Sequence, residues 1–215
     1  FCSAMLHIAT NQKYNEGKTV DVTQAAAIQF KNMAEIHWRF KSEVHAKDII
    51  QEGFRFIIIT DEDKEYVRSN ILQMILEVRH DTVRRQLTYA VECIARLDFP
   101  EKWPNLILEI QAYLNESDER KILTGLESLK SVCKRYEFEY GKNRNPLEEI
   151  VENIFPRLEE LVSQIEENNT IEAFDIKWRI ADLLYIVNQI SICTRYKNNE
   201  GLSKLVTFFK YALNC

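Results

Sequence analysis

Residues 61–79 read DEDKEYVRSNILQMILEVR and decide the fold of this chain. Their apolar side chains recur at intervals of three and four residues, which is the spacing of one face of an α-helix. Thr60 and Asp63 stand at the two positions of a capping box, so the helix is predicted to begin there. Residues 81–97, DTVRRQLTYAVECIARL, repeat the pattern, and Pro100 ends it. The two stretches predict a pair of antiparallel helices.

Similar pairs are predicted along the rest of the chain. Further helices are expected to begin near Trp103-Pro104 and Asn145-Pro146, because proline suits the first turn of a helix. The other apolar stripes with helical spacing cover residues 1–9, 22–37, 106–114, 122–136, 147–165, 169–190 and 202–211. Successive pairs begin about 40 to 45 residues apart, which is the period of HEAT and armadillo repeats. The predicted fold class is all-α, a right-handed α-solenoid of HEAT-type antiparallel helix pairs.

The segment from residue 38 to residue 60 fits this pattern least. Within it, residues 54–59 read FRFIII, which is a strand-like composition. A short helix, an extended loop packed on the helices and a poorly ordered insertion are all compatible with the sequence.

The composition agrees with an all-helical chain and argues against several other classes of protein. Only 5 glycines and 4 prolines occur in 215 residues, whereas a β-sandwich or a nucleotide-binding α/β domain needs many tight turns. The formal net charge of −5 has the opposite sign to that of most nucleic-acid-binding domains, so no direct nucleic-acid partner is predicted. The sequence has no apolar run of the about 18 residues that a membrane span requires, so no membrane insertion is predicted.

No motif in the sequence predicts catalysis. The 5 cysteines are scattered without C-x-x-C spacing, which argues against a zinc site or a disulfide framework. The 4 histidines form no H-E-x-x-H motif and accompany no nucleophile motif. A phosphate-binding G-x-x-x-x-G-K-[ST] loop does not occur either. We therefore predict a protein that is not an enzyme and that uses no cofactor and no metal.

Several stretches resemble motifs of the importin-β (karyopherin-β) superfamily. Residues 24–32, QAAAIQFKN, followed by Trp38, resemble the signature helix of its N-terminal domain. The sequence DFPEKWP at residues 98–104 is similar to the D-x-P-x-x-W-P turn of the superfamily, and VRRQL at residues 83–87 leads into it. The stretch from Arg144 to Pro156 is similar to the branch that holds importins seven and eight. The order and spacing of these motifs carry the resemblance, which covers residues 1–215.

The resemblance implies nuclear transport. Receptors of this superfamily carry protein cargo through nuclear pores, bind phenylalanine-glycine nucleoporins and are governed by the small GTPase Ran in its GTP form. They shuttle between cytoplasm and nucleus. The implied domain layout is an importin N-terminal-like region at residues 1–97 and further HEAT repeats at residues 98–215. Together they would form the N-terminal HEAT-repeat fragment of a longer solenoid.

In the superfamily the first repeats bind Ran through the second, concave-side helix of each pair. The residues of this chain that the resemblance places at a Ran-binding site are Gln24, Gln29, Lys31, Asn32, Arg84, Arg85, Lys130 and Lys134. A row of basic side chains along such a wall would steer an acidic GTPase surface and raise its association rate. The alternative for each basic residue is an ordinary solvated helix face whose aliphatic stem covers its neighbours.

Other residues have both a structural and a functional interpretation. The small side chains Ala25, Ala26 and Ala27 suit close helix packing better than the approach of a partner backbone. The three tryptophans Trp38, Trp103 and Trp178 are expected to fill gaps between repeats, although each could instead anchor an interface. The glutamates between residues 148 and 172 form either an ordinary solvent face or a surface for a cationic cargo segment.

Two alternative functions remain compatible with the sequence. A static HEAT scaffold that organises a signalling complex would have the same helices without a nucleotide-dependent partner. An export receptor of the same superfamily would use the same repeats in the opposite direction of transport.

Overall fold

The computed structural model describes residues 1–11, 13, 20–40 and 57–213, and all regular secondary structure in these ranges is helical. The predicted all-α class and its sequence of helix pairs are confirmed. The strand-like segment lies partly outside the described residues, at 54–56. The part inside, residues 57–60, has no regular secondary structure, and Ile59 is buried. The chain divides into two compact units, Phe1–Pro104 and Asn105–Cys215.

The first unit contains two helix pairs. Its helices are α1 (Cys2–Thr10), α2 (Val20–Asn32), α3 (Asp61–Glu77) and α4 (Asp81–Asp98), and a π-helical turn (Met33–His37) extends α2. The first helices of the two pairs, α1 and α3, pack on each other, and so do the second helices, α2 and α4. The apolar faces meet between these two layers, where Phe30, Ile71 and Leu87 are fully buried. Each such side chain contributes about 1.5–3 kcal/mol by leaving water.

The predicted cap of α3 is confirmed in part. Thr60 accepts a hydrogen bond from the backbone N–H of Asp63 (3.2 Å), as a capping residue should. The Asp63 carboxylate accepts a bond from the Ser3 hydroxyl on α1 (2.6 Å). The hydrogen bond from Ser3 is the main reason why the pKa of Asp63 lies below 3.8. The acidic residue of the capping box therefore also links the first helices of the two pairs.

A buried carboxylate connects three helices of the first unit. Asp98, at the end of α4, accepts hydrogen bonds from the Trp38 indole (2.9 Å) and from the Arg68 guanidinium of α3 (2.6 Å). The backbone N–H of Trp103 returns to the Asp98 carbonyl (3.1 Å). The Asp98 side chain is only 3% exposed. This network explains the aspartate of the motif at residues 98–104, whose side chain joins the helices and whose carbonyl oxygen fixes the turn after α4.

The second unit continues the helix pairs. Its helices are α5 (Leu106–Leu114), α6 (Glu119–Arg135), α7 (Asn145–Gln164), α8 (Ile171–Asn188) and α9 (Asn199–Leu213). The helices α5 and α6 form one pair, α7 and α8 form the next, and the second helices α6 and α8 pack side by side. Asp118 caps α6 by accepting bonds from two backbone N–H groups of its first turn, and Thr170 caps α8.

The end of the second unit is held by a close backbone approach. The helix α9 packs on α8 and on the short 3₁₀ turn Thr194–Tyr196. A Cβ atom at Gly201 of α9 would lie 2.6 Å from the Arg195 carbonyl oxygen and 2.6 Å from the Tyr196 Cα atom. These neighbours are backbone atoms, so only glycine allows α9 to pack this closely.

The three tryptophans do not share one role. Trp38 and Trp103 are buried in the first unit, at 2% and 3% exposure, as predicted for residues that fill gaps. Trp178 of α8 is 49% exposed. Trp178 was expected to fill a gap between repeats, and within the part of the chain that the structure describes this expectation is wrong. The alanine run likewise divides, since Ala26 and Ala27 are buried whereas Ala25 is exposed.

Candidate protein-binding surface

The second helices of the first unit, α2 and α4, lie side by side and run in the same direction. The Tyr89 hydroxyl of α4 donates to Glu35, in the π-helical turn that extends α2. The Trp38 indole donates to Asp98, and both of these residues lie farther along their helices. Both contacts advance in the same sense, which defines a parallel pair. The outward surface of this pair is the candidate protein-binding surface of the first unit.

Lys31 lies in a small polar cluster that bridges the two helices. Its ammonium group is 3.2 Å from the Glu35 carboxylate and 5.7 Å from the centre of the Tyr89 ring. The Tyr89 hydroxyl donates to the same carboxylate (3.1 Å). Glu35 and Tyr89 are not among the predicted site residues. The spacing of four between Lys31 and Glu35, and between Arg85 and Tyr89, is the signal that could have indicated them.

The protonation states make this cluster nearly neutral. The hydrogen bond from Lys31, followed by that from Tyr89, lowers the pKa of the Glu35 carboxyl. The neighbouring Cys93 and the bond to Glu35 raise the pKa of Tyr89 to about 12. At neutral pH the cluster therefore holds one cation, one anion and a neutral phenol. The charge of Lys31 is largely balanced within the surface.

The two arginines of α4 differ in direction and in pairing. Arg85 is exposed and begins an outward stripe that continues with Tyr89 and Arg96. Arg84 precedes Tyr89 by five residues, which places it roughly 140° around the helix on the other flank. Its side chain is 19% exposed and lies 3.4 Å from the Asp81 carboxylate. Of Arg84 and Arg85, it is therefore Arg85 that the outward surface of α2 and α4 presents.

The remaining predicted residues of α2 surround this surface. Gln29 is exposed, and Gln24 and Asn32 are half-buried. Ile28 is 39% exposed beside them. The surface thus combines amides, one exposed apolar side chain and a cation, which suits a protein partner.

The predicted lysines Lys130 and Lys134 belong to the second unit. Both are half-buried on α6. The ammonium group of Lys130 is 2.5 Å from the Asp182 carboxylate of α8. The parallel contact between Arg179 of α8 and Glu127 of α6 measures 2.7 Å. The predicted residues therefore form two sets, six in the first unit and two in the second. Lys130 takes part in the packing of α6 against α8.

Two further features of the described residues concern metal binding and the reactivity of thiols. These residues contain no group of three or more histidine, cysteine, aspartate or glutamate side chains that could hold a metal ion. Cys2, Cys93, Cys133 and Cys193 are buried free thiols. Burial raises the pKa of each thiol, that of Cys193 to about 11, so they remain protonated and weakly nucleophilic at neutral pH. No described helix is long and apolar enough to cross a bilayer.

Comparison with known proteins agrees with the motifs. Residues 1–77 match the family model of the importin-beta N-terminal domain. Importin-8 of Homo sapiens is 28% identical over 189 residues, which is 88% of this chain and 18% of that protein. A probable importin-7 homolog of Dictyostelium discoideum is 30% identical over 156 residues, or 72% of this chain and 13% of that protein.

The chain belongs to the importin-β superfamily. Exportin-2 of Oreochromis niloticus is also similar, with 32% identity over 118 residues, which is 55% of this chain and 11% of that protein. Among solved structures, the exportin Cse1 in its cargo-free, cytoplasmic state matches with a TM-score of 0.69 over 97% of this chain and 22% of that one. At 19% identity this likeness shows the fold, which confirms the HEAT-type class. This superfamily member spans less than a fifth of the length of the curated relatives named above.

Proposed function

We propose that this chain is the N-terminal HEAT-repeat part of a nuclear transport receptor and that it binds Ran-GTP through α2 and α4. The observation that carries the proposal is the parallel pair of second helices, whose shared outward face presents Gln29, Ile28 and Arg85. The resemblance implies a Ran-binding site on the second helices of the first repeats. Residues 1–97 as the importin N-terminal-like region and residues 98–215 as further repeats are part of the same proposal.

Arg85 is the residue to which we assign the largest electrostatic role. It is exposed on the outward stripe of α4, whereas Lys31 is balanced by Glu35 and Lys130 by Asp182. A cation that is not engaged in packing can attract an acidic partner over a distance of about 10 Å at ordinary salt concentrations. We assign Gln24, Gln29 and Asn32 to direct hydrogen bonds, and Lys31 and Arg84 to positioning of this surface. Lys130 and Lys134 lie on α6 of the second unit and are separate candidates for contacts with Ran.

Hydrolysis of GTP in this proposal is chemistry of Ran, and the chain itself is not an enzyme. Protein cargo and phenylalanine-glycine nucleoporins are the further partners, and shuttling between cytoplasm and nucleus is the expected localisation. Ran and cargo would influence each other's affinity through a coupling free energy that is equal in both directions.

Binding to Ran in its two nucleotide states tests the proposal. The 215-residue chain is immobilised and exposed to Ran loaded with a non-hydrolysable GTP analogue or with GDP, and association and dissociation are recorded. We expect binding to the GTP form and at least tenfold weaker binding to the GDP form. Equal binding to both forms, or binding to neither, would favour the static scaffold.

Charge reversal at Arg85 locates the surface. Arg85→Glu should reduce the association rate by roughly tenfold at low salt and by less at high salt, because electrostatic steering is screened. Arg39→Glu is the matched control. Arg39 is also exposed, but it follows the far end of the α2 layer. Equal effects of the two variants would remove Arg85 from the site.

The direction of transport follows from the sign of the coupling between Ran-GTP and cargo. The similarity to Exportin-2 favours export as a second candidate beside import. If a captured cargo dissociates when Ran-GTP is added, the chain acts in import. If Ran-GTP strengthens cargo binding, it acts in export.

A further inference from the structure

The connection between α6 and α7 presents two aromatic side chains to solvent. Residues 136–143 read YEFEYGKN. Phe138 is 63% exposed and Tyr140 is 68% exposed. The chain forms a turn at residues 136–138, has no regular structure at residues 139–140 and then enters a 3₁₀ turn, Gly141–Arg144. We refer to residues 137–143 as the aromatic loop.

Both ends of the aromatic loop are anchored by buried side chains. Tyr136, directly before it, is 5% exposed. Arg144, directly after it, is also 5% exposed and donates to the carbonyl oxygens of Val187 and Ser191. The helix pairs on either side of the loop, α5 with α6 and α7 with α8, are both described. The loop is therefore exposed between neighbours that are present.

Few hydrogen bonds hold the backbone between the anchors. The N–H groups of Glu137 and Glu139 bond to carbonyl oxygens three residues earlier, at 3.4 and 3.1 Å. The Asn143 side chain donates to the exposed Glu139 carboxylate (3.1 Å). The backbone of Tyr140 is already extended, with φ −125° and ψ 156°, and Gly141 turns the chain directly after it with φ 56°. A segment held in this way opens locally more readily than a helix does.

The structure describes three other exposed tyrosine side chains, and each of them lies within a helix. Tyr66 of α3 is 36% exposed, Tyr89 of α4 39% and Tyr185 of α8 56%. The hydroxyl groups of Tyr66 and Tyr89 are also hydrogen-bonded to other side chains. An enzyme that modifies a side chain must take the neighbouring backbone into its cleft, which exposed loops allow and intact helices resist. Tyr140 is therefore the most accessible of the four.

The residues before Tyr140 are acidic. Glu137 and Glu139 precede it by three residues and by one. Kinases select their substrates in part by charge pattern, and a basic cleft favours acidic residues before the target tyrosine. Tyr66 follows the stretch DEDKE at residues 61–65, which is more acidic still. The sequence alone would therefore favour Tyr66, whereas the fold favours Tyr140.

We propose that Tyr140 is phosphorylated by a tyrosine kinase that prefers acidic residues before its target. The Tyr140 hydroxyl oxygen attacks the γ-phosphorus of ATP. A new O–P bond forms while the bond from the γ-phosphorus to the β,γ-bridging oxygen breaks, and ADP leaves. The phenolic proton passes to the catalytic aspartate of the kinase.

The product changes the surface and leaves the core intact. Phosphorylation adds a charge of about −1.5 to −2 at pH 7, next to Glu137 and Glu139. Because Tyr140 extends into water between two buried anchors, no packed side chain has to move. A partner that recognises the modified loop would use arginine or lysine. The aromatic loop shares no residue with the surface of α2 and α4, so its modification is tested whether or not Ran binds.

Site-resolved kinetics test the proposal. The folded 215-residue chain is incubated with ATP, Mg²⁺ and the purified catalytic domain of a tyrosine kinase of this specificity. Samples taken at short times are digested, and phosphate on each tyrosine is quantified by mass spectrometry. We expect an initial rate at Tyr140 that exceeds the rates at Tyr66 and Tyr185 by roughly tenfold or more. Synthetic peptides of residues 61–70 and 135–144 have no fold to protect them, so the preference for Tyr140 over Tyr66 should disappear between them.

Variants separate the target from its acidic context. Tyr140→Phe should abolish the fast incorporation of phosphate. Substitution of both Glu137 and Glu139 by glutamine should lower kcat/KM at Tyr140 by roughly tenfold, because the charge pattern is lost. The matched control combines Glu167→Gln with Glu172→Gln, which makes the same change in net charge at exposed residues far along the chain. It should leave kcat/KM at Tyr140 unchanged.

Three results would overturn the proposal. The first is the absence of phosphate from Tyr140 of the folded chain, whether or not the peptide of residues 135–144 is modified. The second is an equal initial rate at Tyr140 and Tyr66 in the folded chain, which would remove the argument from accessibility. The third is an equal kcat/KM for the wild-type chain and the variant with glutamine at positions 137 and 139, which would remove the acidic preference.

Discussion

Both units of the chain bury an arginine, and they balance its charge in different ways. Arg68 of the first unit is paired with carboxylates, 2.6 Å from Asp98 and 2.6 Å from Glu65. Arg144 of the second unit donates to the carbonyl oxygens of Val187 and Ser191 (3.0 Å for Ser191) at the end of α8. The first guanidinium is thus held at short distance by carboxylates. The second is held mainly by the carbonyl end of a helix, which carries a partial negative charge, and its Nε atom lies 3.6 Å from the Glu148 carboxylate.

The difference predicts how strongly each unit is destabilised when the arginine or one of its partners is substituted. In the first unit, removal of either partner leaves a full charge in a buried place, which is costly. In the second unit, removal of the arginine leaves carbonyl groups that can accept hydrogen bonds from water. It also leaves the Glu148 carboxylate, which is 28% exposed and keeps its bond from the Thr194 N–H. The loss of unfolding free energy should therefore be large in the first unit and moderate in the second. The tryptophans make the comparison measurable, because Trp38 and Trp103 lie in the first unit and Trp178 lies in the second.

The largest expected effect is that of Asp98→Ala. The substitution leaves the Arg68 guanidinium without its buried carboxylate and the Trp38 indole without its acceptor, so the first unit should lose about 3–5 kcal/mol of unfolding free energy. Urea titration followed by tryptophan emission in a Trp178→Phe background measures the first unit alone. Asp81→Ala, at an exposed residue of α4, is the control and should cost less than about 0.5 kcal/mol. A loss of the same size in both variants would refute the importance of burial.

A moderate effect is expected for Arg144→Ala. Loss of the bonds to the end of α8 should cost about 1–3 kcal/mol. The quantity to measure is the urea midpoint reported by Trp178 in a chain with Trp38→Phe and Trp103→Phe. Arg120→Ala, at an exposed residue of α6, serves for comparison. If Arg144→Ala destabilises its unit as strongly as Asp98→Ala destabilises the other, then the kind of partner does not decide how much a buried arginine contributes to stability.

A smaller effect is expected for Glu159→Gln. The Glu159 carboxylate accepts bonds from Arg195 (2.8 Å) and Lys204 (3.2 Å), and the Lys204 side chain is 41% exposed. Partly solvated ion pairs contribute little, so the expected loss is about 1 kcal/mol or less. Burial raises the pKa of Glu159, but the bonds from Arg195 and Lys204 outweigh it and bring that pKa below 4.5.

The sign of the pH effect follows from that lowered pKa. A carboxyl whose pKa is lower in the folded than in the unfolded state stabilises the fold at pH values above its unfolded-state pKa. The stability is lost as the pH falls below 4.5. Thermal melting between pH 7 and pH 3 should therefore show a shallower acid loss for Glu159→Gln than for the wild-type chain. Parallel curves for the two proteins would contradict the assignment.

The last expected effect is a pH dependence that comes from His37 and lies nearer to neutral pH. Burial lowers the pKa of His37 below 6.5, and its Nδ1 atom accepts a bond from the Ile57 N–H (3.2 Å). The unfolded chain therefore binds this proton more readily, and stability should fall as the pH drops below 6.5, by at most about 1.4 kcal/mol per pH unit. Thermal melting at pH 7.5 and 5.5 should show a smaller difference for His37→Gln than for the wild type. His80→Gln is the control variant at another histidine, and its difference in melting between pH 7.5 and pH 5.5 is compared with that of His37→Gln.

The sequence predicts the helices well because their information is local. The apolar spacing within residues 61–79 and the cap at Thr60 involve neighbours one or two turns apart. The hydrogen bonds to Asp98 could not be predicted from local spacing, because Trp38 and Arg68 lie 60 and 30 residues earlier in the chain. Only the family motif at residues 98–104 pointed to this region, and it did not indicate what the aspartate binds.

The candidate surface shows the same limit. The helices that carry Lys31 and Arg85 were predicted, but the contact between Glu35 and Tyr89, 54 residues apart, depends on how α2 and α4 pack. Trp178 shows the opposite error. An apolar residue at helical spacing was expected to be buried, yet spacing alone does not say how wide the buried face is. The exposure of Trp178 depends on which neighbours α8 has.

The close approach at Gly201 has a consequence for sequence divergence. Related sequences can exchange the exposed residues Leu202 and Ser203 of the same helix, because a new side chain there extends into water. At position 201, even the smallest added side chain meets backbone that cannot rotate away. A homologue with another residue at this position must therefore carry a different turn before α9, and the two changes should be inherited together.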